Sequence, residues 1–506
     1  MDTSLTPQDS SSASATAAAV PRPAGDRRPG FGTLLAVDLW ERFSFFGMAA
    51  ILVLYLTASP ARGGMGMAPQ TATAIFAAYM SLSFMAGLPG GWIADRVLGA
   101  RRAVLLGGTL ITCGHAVLAL PLTGSLYVGL LLVVAGTGLV KPAMAAMVAG
   151  VGGDGKGRRE AAFSLFYMCI QVSALIAPVV TGLLAERVAW HLGFAAAAVG
   201  MTAGLTQFAL GLRRFGDVGA RPPHPVRRSE AAVMLRRAAW VTGAVGALVV
   251  VPAACGLLPL PAVLAVLGLT TVTLPFWYLR SLSRTHARGT VHRHRLAGFT
   301  VLMAASAAFW MIFAQSGSVL SLFAERHTDR DVLGFQVPAS WFQSVHPLFV
   351  LLVAPLFARL RLRAPRVDVP VKFAGALIAA GVSFLLMAMA ARLSEHGPVG
   401  PQWLLLVYLL YSCGEVALAP AGLALAAAVA PPGSTSRLLA VNGLFGAVGV
   451  VVGGQLFRLT TVLSPTVYFL LLGGFVLTTG TAVALGTPRL RRLLALPAAP
   501  GTFRSD

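Results

Sequence analysis

GGWIADRVLGARR, residues 90–102, is a charged turn set between two apolar runs. Gly90 and Gly91 let one helix pack closely, Asp95 and Arg96 end it, and Gly99 turns the chain. Arg101 and Arg102 then open the next run. On either side the chain stays apolar for roughly 20 residues, enough to cross about 30 Å of hydrocarbon. A turn of this kind returns a second span from the face where the first one ended.

The same alternation continues in both directions. Of 506 residues, 56% are hydrophobic and only 11% charged, against about 25% charged in soluble domains. The apolar runs are continuous and do not alternate residue by residue, which excludes a β-barrel. The expected class is an all-α polytopic membrane protein.

A net charge of +21 would suggest nucleic acid in a soluble chain. Its placement argues otherwise. With the N-terminus in the cytoplasm, about 30 Lys/Arg fall in inner loops and about 6 in outer ones, the positive-inside bias. RRFGDVGARPPHPVRR, RSLSRTHARGTVHRHR and ARLRLRAPR become inner-face loops with affinity for anionic lipid. Both termini are then cytoplasmic, in the inner (plasma) membrane, and no nucleic-acid partner is expected. Residues 1–30, rich in Ser, Ala and Pro and without an apolar core, read as a disordered tail and no cleaved signal. Cys113, Cys169, Cys255 and Cys413 lack metal-ligand spacing and read as buried small hydrophobes.

Twelve spans fall into two sixes: 33–57, 70–94, 102–122, 125–149, 161–184 and 190–212, then 297–323, 341–360, 370–391, 402–430, 438–457 and 465–487. Two further apolar runs, 238–257 and 260–280, lie between them. Six plus six is the arrangement of a major facilitator fold, whose halves rock about a site near the bilayer midplane. The expected domains are a tail at 1–30, bundles at 31–214 and 297–488, basic loops with two inserted helices at 215–296, and a tail at 489–506. Fourteen equal helices are the alternative. The turn at 90–102 resembles the signature loop of the major facilitator superfamily, so Asp95, Arg96 and Arg101 are expected to form a gating loop.

VDLWERFSFFGMAAILVLYLT, residues 37–57, places Asp38, Glu41 and Arg42 at the head of a span, where each ionisable group costs at least ~2.5–3.5 kcal/mol. Their i, i+3, i+4 spacing puts them on one helical face. A self-neutralised cluster that only fixes the helix accounts for them as well as a site does. GTGLVKPAMAAMVAG shifts the balance by adding Lys141 in mid-span. A structural cluster gains nothing from a second cation. A carboxylate or phosphate site does, because Arg offers a two-pronged grip and Lys a point charge.

In the second half, YSCGEVALAPAGLALAAAVAP carries one acid, Glu415, with no cation within a helical turn. Such a group either stays protonated or meets a cation from elsewhere, such as a ligand's amino group. Positive groups on one half and a negative one on the other imply a zwitterionic ligand. Phe45, Phe46, Tyr79 and Trp310 are candidate aromatics of the same site, against plain packing.

DLWERFSFFGM resembles the first-helix ExxERFxYYG signature of the proton-dependent oligopeptide transporter family. GTGLVKP, FSLFYMCIQVSALIAP, AAFWMIFAQSGSVLSLFAER, VPASWFQSVHPLFVLLVAP and GEVALAPAGLALAAAVAP resemble its fourth, fifth, seventh, eighth and tenth helices. The resemblance covers nearly all of 31–490. It implies uptake of di- and tripeptides coupled to protons, with no cofactor, and the single chain is the expected functional unit. It implies Arg42 and Lys141 at the peptide carboxylate, Glu415 at the amino group and Trp310 as a pocket aromatic, and Phe46, Tyr79, Gln171 and His346 complete the expected substrate-binding residues. Asp38, Glu41, Arg42 and Lys141 fall on the network linked to proton movement.

The departures are Asp38 for a glutamate, Phe45 and Phe46 for paired tyrosines, Gln171 for an asparagine and His346 for an eighth-helix asparagine. A first-helix Arg and a seventh-helix acid that pair as an outer gate are Ala49 and Ala314. His346 is either a substitute proton site, with an intrinsic pKa of about 6.5, or a neutral hydrogen-bonding replacement. The alternative function is an exporter, or a carrier with altered coupling, for peptide-like natural products. A membrane-bound transferase would need clustered acids for metal–diphosphate, and TDRDV (328–332) is external with an Arg between its acids. No Walker A motif is present to bind ATP.

Overall fold

The computed structural model describes residues 30–122, 124–151, 156–226, 229–230, 233, 236, 259–285, 290–363, 367–430 and 435–494. The expected tails and the first inserted run at 238–257 lie outside the described residues, apart from the tail segment 489–494.

The first bundle holds α1 (Phe31–Thr57), α2 (Pro69–Met85) continued by α3 (Gly87–Ile93), α4 (Ala100–Leu118), α5 (Ser125–Val151), α6 (Lys156–Arg187) and α7 (Trp190–Gly211). An inserted helix follows, α8 (Leu260–Thr285). The second bundle holds α9 (Thr290–Phe313), α10 (Val319–His327), α11 (Phe342–Arg363), α12 (Val369–Leu393), α13 (Gln402–Val429), α14 (Thr435–Leu456) and α15 (Pro465–Leu494). Among the described residues, 12 helices are long and apolar enough to cross a membrane. They include α8 but not α4, which carries Arg101 and Arg102 at its start and is just 19 residues long. Packed on α5 and α7, α4 nevertheless completes six crossings in the first bundle.

The span expected at 297–323 is broken. Helix α9 stops at Phe313, a 3-10 turn occupies Ala314–Gly317, and α10 resumes at Val319. Loop residues 331–336 form an antiparallel ribbon of two two-residue strands, β1 (Asp331–Val332) and β2 (Phe335–Gln336). Cys113 is exposed, and Cys169 and Cys413 are half-buried, which corrects the expectation of buried cysteines. Lipid is itself an apolar solvent, so an apolar side chain on a span has no need of the protein interior.

Within each bundle the packing is tight: α1 on α6 and α7, α4 on α5, and α12 on α13 and α15. The bundles meet along two seams, α2 with α14 and α6 with α11. Hydrogen bonds across them cluster toward the end that carries the 328–341 loop. There Glu186 of α6 accepts from the backbone N–H groups of Ala339 (2.8 Å) and Ser340 (2.9 Å) and from the Ser340 hydroxyl (2.6 Å). Arg330 stands 3.8 Å from the same carboxylate. Trp341 donates to the Val179 carbonyl (3.0 Å), Gln70 to Thr460 (3.1 Å), and Arg62 pairs with Glu325 (3.8 Å). A Cβ on Gly182 would lie 1.8 Å from the Ser340 hydroxyl oxygen, so only glycine permits this approach. Burial pushes the Glu325 carboxyl above its usual range.

Ala49 and Ala314 are both buried, and Ala314 packs with Ala77 of α2 and Val450 of α14. Nearby, Gln343 donates to the Ala50 carbonyl (3.2 Å) and to Ser321 (2.9 Å), joining α1, α10 and α11 without charge.

Candidate functional site

In α1 the spacing of the acids works as expected. Arg42 Nε lies 3.4 Å from Asp38 and 3.3 Å from Glu41. Asp38 and Glu41 are almost wholly buried, and neither oxygen of Asp38 has a hydrogen-bond partner. The guanidinium keeps some exposure, at 12%. Its ion pairs run through Nε, which is buried and makes no hydrogen bond.

Lys141 is positioned by a local chain of causes. Pro142 has no N–H, so the Gly138 carbonyl loses its helical partner. That oxygen abuts α3, where a Cβ on Gly90 would come within 2.0 Å of it. The glycine crossing therefore brings α5 hard against α3, and Lys141 emerges at the crossing. Its ammonium sits 4.3 Å from the Phe45 ring centroid and 5.5 Å from that of Phe84. Among the described residues no acid lies within 4.0 Å of it, so Lys141 is held by aromatic faces and is not ion-paired. It remains within electrostatic reach of Arg42, Glu41 and Asp38.

Across the seam, Glu415 is not alone. His346 Nε2 of α11 stands 2.6 Å from Glu415 Oε2 of α13, the two side chains keeping 13% and 12% exposure. The imidazole packs against Tyr411 (5.0 Å between centroids) and Phe313 (5.3 Å). Trp310 adjoins Phe313 at 5.1 Å. The sequence separates His346 from Glu415 by 69 residues and offers no pattern that pairs them.

Gln171 is buried and donates to the Tyr167 hydroxyl (3.0 Å). Tyr167, absent from the expected site residues, is exposed and close enough to Glu415 to feel its charge. It lies within the FSLFYMCIQ stretch, which was the available signal. Phe46 is half-buried edge-on to Phe45 (5.3 Å), whereas Tyr79 is buried at 2% and packs on Phe45 (6.2 Å). Arg101 is turned to the end of α7, donating from Nε to the Val218 carbonyl (2.7 Å) and also to the Gly216 carbonyl. Asp95 and Arg96 accept through their carbonyls from His224 (3.1 Å) and Val226 (3.3 Å), with both side chains exposed. Among the described residues no group of three His, Cys, Asp or Glu side chains is placed to hold a metal.

Two six-helix bundles packed along two seams, each with ionisable side chains buried within its spans, define a membrane carrier of the major facilitator class. The POT family profile matches residues 101–470, and the chain belongs to that family of transporters. The "Uncharacterized transporter YclF" of Bacillus subtilis is 33% identical over 473 residues, 92% of this chain and 94% of the relative. The "Peptide transporter YePEPT" of Yersinia enterocolitica is 35% identical over 423 residues, 79% of this chain and 81% of the relative. A crystal structure of the peptide transporter POT in complex with sulfate superposes with a TM-score of 0.88 at 35% identity, covering 93% of this chain and 97% of that one. A POT family transporter in complex with 5-aminolevulinic acid gives 0.87 at 29% identity, covering 91% and 96%.

Proposed function

We propose that this chain is a secondary active transporter of di- and tripeptides or peptide-like zwitterions, working by alternating access and driven by protons. The observation that carries this reading is the division of charge. Arg42 and Lys141 stand on one bundle, and Glu415 on the other. A zwitterion bridging them, carboxylate to the cations and ammonium to the acid, favours closure of the two bundles about it. Relatives named as peptide or di-/tripeptide transporters support the substrate class.

Arg42 is held through Nε by Asp38 and Glu41. A proton on that acid pair weakens the hold and releases the guanidinium to the substrate carboxylate, which couples the two loads. Trp310, Phe46, Tyr167 and Gln171 shape the pocket, with Tyr79 behind it. The bundles at 31–214 and 297–488 are the rocking bodies, and the basic 215–296 segment connects them. With both termini in the cytoplasm of the plasma membrane, the Glu186 contacts close the outer face. Asp95, Arg96 and Arg101 belong to the inner-face loop that reorganises when that face closes.

The test is uptake of labelled dialanine into proteoliposomes, with and without an inward proton gradient, beside Glu415→Gln and Lys141→Ala proteins. Gradient-driven uptake lost in both variants supports the reading. Counterflow without accumulation removes proton drive and points to altered coupling following Ala49 and Ala314. No recognition of dialanine removes the peptide assignment.

A further inference from the structure

In the reading above, Glu415 receives the ligand's amino group, and the following inference rests on that reading. The position is already occupied. His346 Nε2 lies 2.6 Å from Glu415 Oε2, a short hydrogen bond between the two side chains. Tyr411 and Phe313 pack on the imidazole at 5.0 and 5.3 Å, so the ring cannot swing away freely.

We propose that His346 is a specificity-determining occupant of the ammonium subsite: its imidazolium and the ligand's ammonium compete for Glu415, and ligand binding expels one proton. Two cations cannot share one carboxylate in a place shielded from water without strong repulsion. A ligand ammonium keeps its charge near neutral pH, whereas an imidazolium can give its proton up. The exchange balances. The imidazolium N–H bond breaks, its proton passes to water, neutral His346 remains, and the ammonium donates to the Glu415 carboxylate in its place.

The other groups facing the pair do not replace this role. Helix α13 supplies Tyr411 and, against it, Tyr408 (5.4 Å). Helix α9 supplies only uncharged rings, Phe313 and Trp310. Helix α6 supplies the Tyr167 hydroxyl. Asp38, Glu41, Arg42 and Lys141 form their own group on the first bundle, with no ion pair to His346 or Glu415. Loading thus depends on pH in two opposed ways. A proton on the Glu41 side helps the carboxylate end, and a proton on His346 obstructs the amino end. Transport then has an optimum pH, flanked by losses on both sides.

The test is calorimetry of dialanine binding to the purified full-length protein from pH 5.5 to 8, in two buffers of different ionisation enthalpy. The expected result, relative to His346→Asn, is release of up to one additional proton per dialanine toward the acid end of this range, fading toward the alkaline end, with binding that weakens as the pH falls. His346→Asn removes both the release and the slope. Retention of both in His346→Asn overturns the proposal. A second arm needs no ligand: imidazole resonances are titrated by NMR, with His346 assigned by its loss in His346→Asn. Glu415→Gln moves that titration if the pair is real, and an unmoved titration overturns it. Dialanine binding with the same net proton change in the unaltered protein and in His346→Asn would sink this inference alone. No dialanine binding at any pH would sink the peptide reading and this inference with it.

Discussion

Glu186 and Ser340 join the two bundles by two hydrogen bonds to one carboxylate oxygen, from the Ser340 backbone N–H at 2.9 Å and its hydroxyl at 2.6 Å. With the Ala339 N–H and Arg330 on the other oxygen, the carboxylate bridges α6 and the turn that leads into α11. Hydrogen bonds to a charged group are worth about 1.5–3 kcal/mol each. Glu186→Ala therefore moves the closed-outside population roughly tenfold or more toward opening. Spin-label distances across the outer ends of α6 and α11 check this; an unchanged distribution would show that the latch carries no weight.

Substitution at Gly90 should act on stability before it acts on transport. A Cβ there would overlap the Gly138 carbonyl that Pro142 leaves free. Gly90→Ala is expected to cost about 1–3 kcal/mol through overpacking. A lowered melting temperature of the detergent-solubilised protein, with Lys141 function impaired in parallel, is the outcome that supports the crossing.

Arg42→Lys keeps the charge and removes the two-pronged grip. Dialanine uptake should fall at least tenfold, since a bidentate carboxylate contact is reduced to a point charge. Binding measured beside uptake separates the causes: affinity lost together with rate places Arg42 on the substrate, while rate lost alone places it on the proton step.

Glu41→Gln removes one of the two carboxylates that hold Arg42 at 3.3–3.4 Å. Exchange of dialanine across the membrane at zero gradient should persist. Accumulation driven by an imposed proton gradient should fall by more than tenfold, as expected when a proton site is lost and binding is kept. If accumulation survives, the coupling proton resides elsewhere.

The two-bundle fold was legible because hydropathy and loop charge write membrane topology directly into the chain. Even α4, whose paired arginines dilute its apolar character, was found from the turn that precedes it. The α1 cluster was legible too, since helical spacing alone brings Asp38, Glu41 and Arg42 together. Contacts made across the fold left no such trace. Glu186 reads as an ordinary helix-end acid beside Arg187, and its partners lie 153 and 154 residues further on. Glu415 reads as a solitary acid until α11 carries His346 to it. The burial of Tyr79, at 2% exposure against Phe45, was not legible either, because a period of 3.6 identifies a helix face but not the neighbour that covers it.

Helix α8 packs on both α2 and α14, the two sides of one seam. Phe276 stacks edge-on to Phe445 at 5.3 Å, Gln455 donates to the Leu264 carbonyl, and Thr271 donates to the Met85 sulfur. Its hold on α14 is the broader one. Among the described residues the seam between α6 and α11 has no such cover, so the two seams are lined differently: one by an inserted helix, the other by the bundle helices themselves.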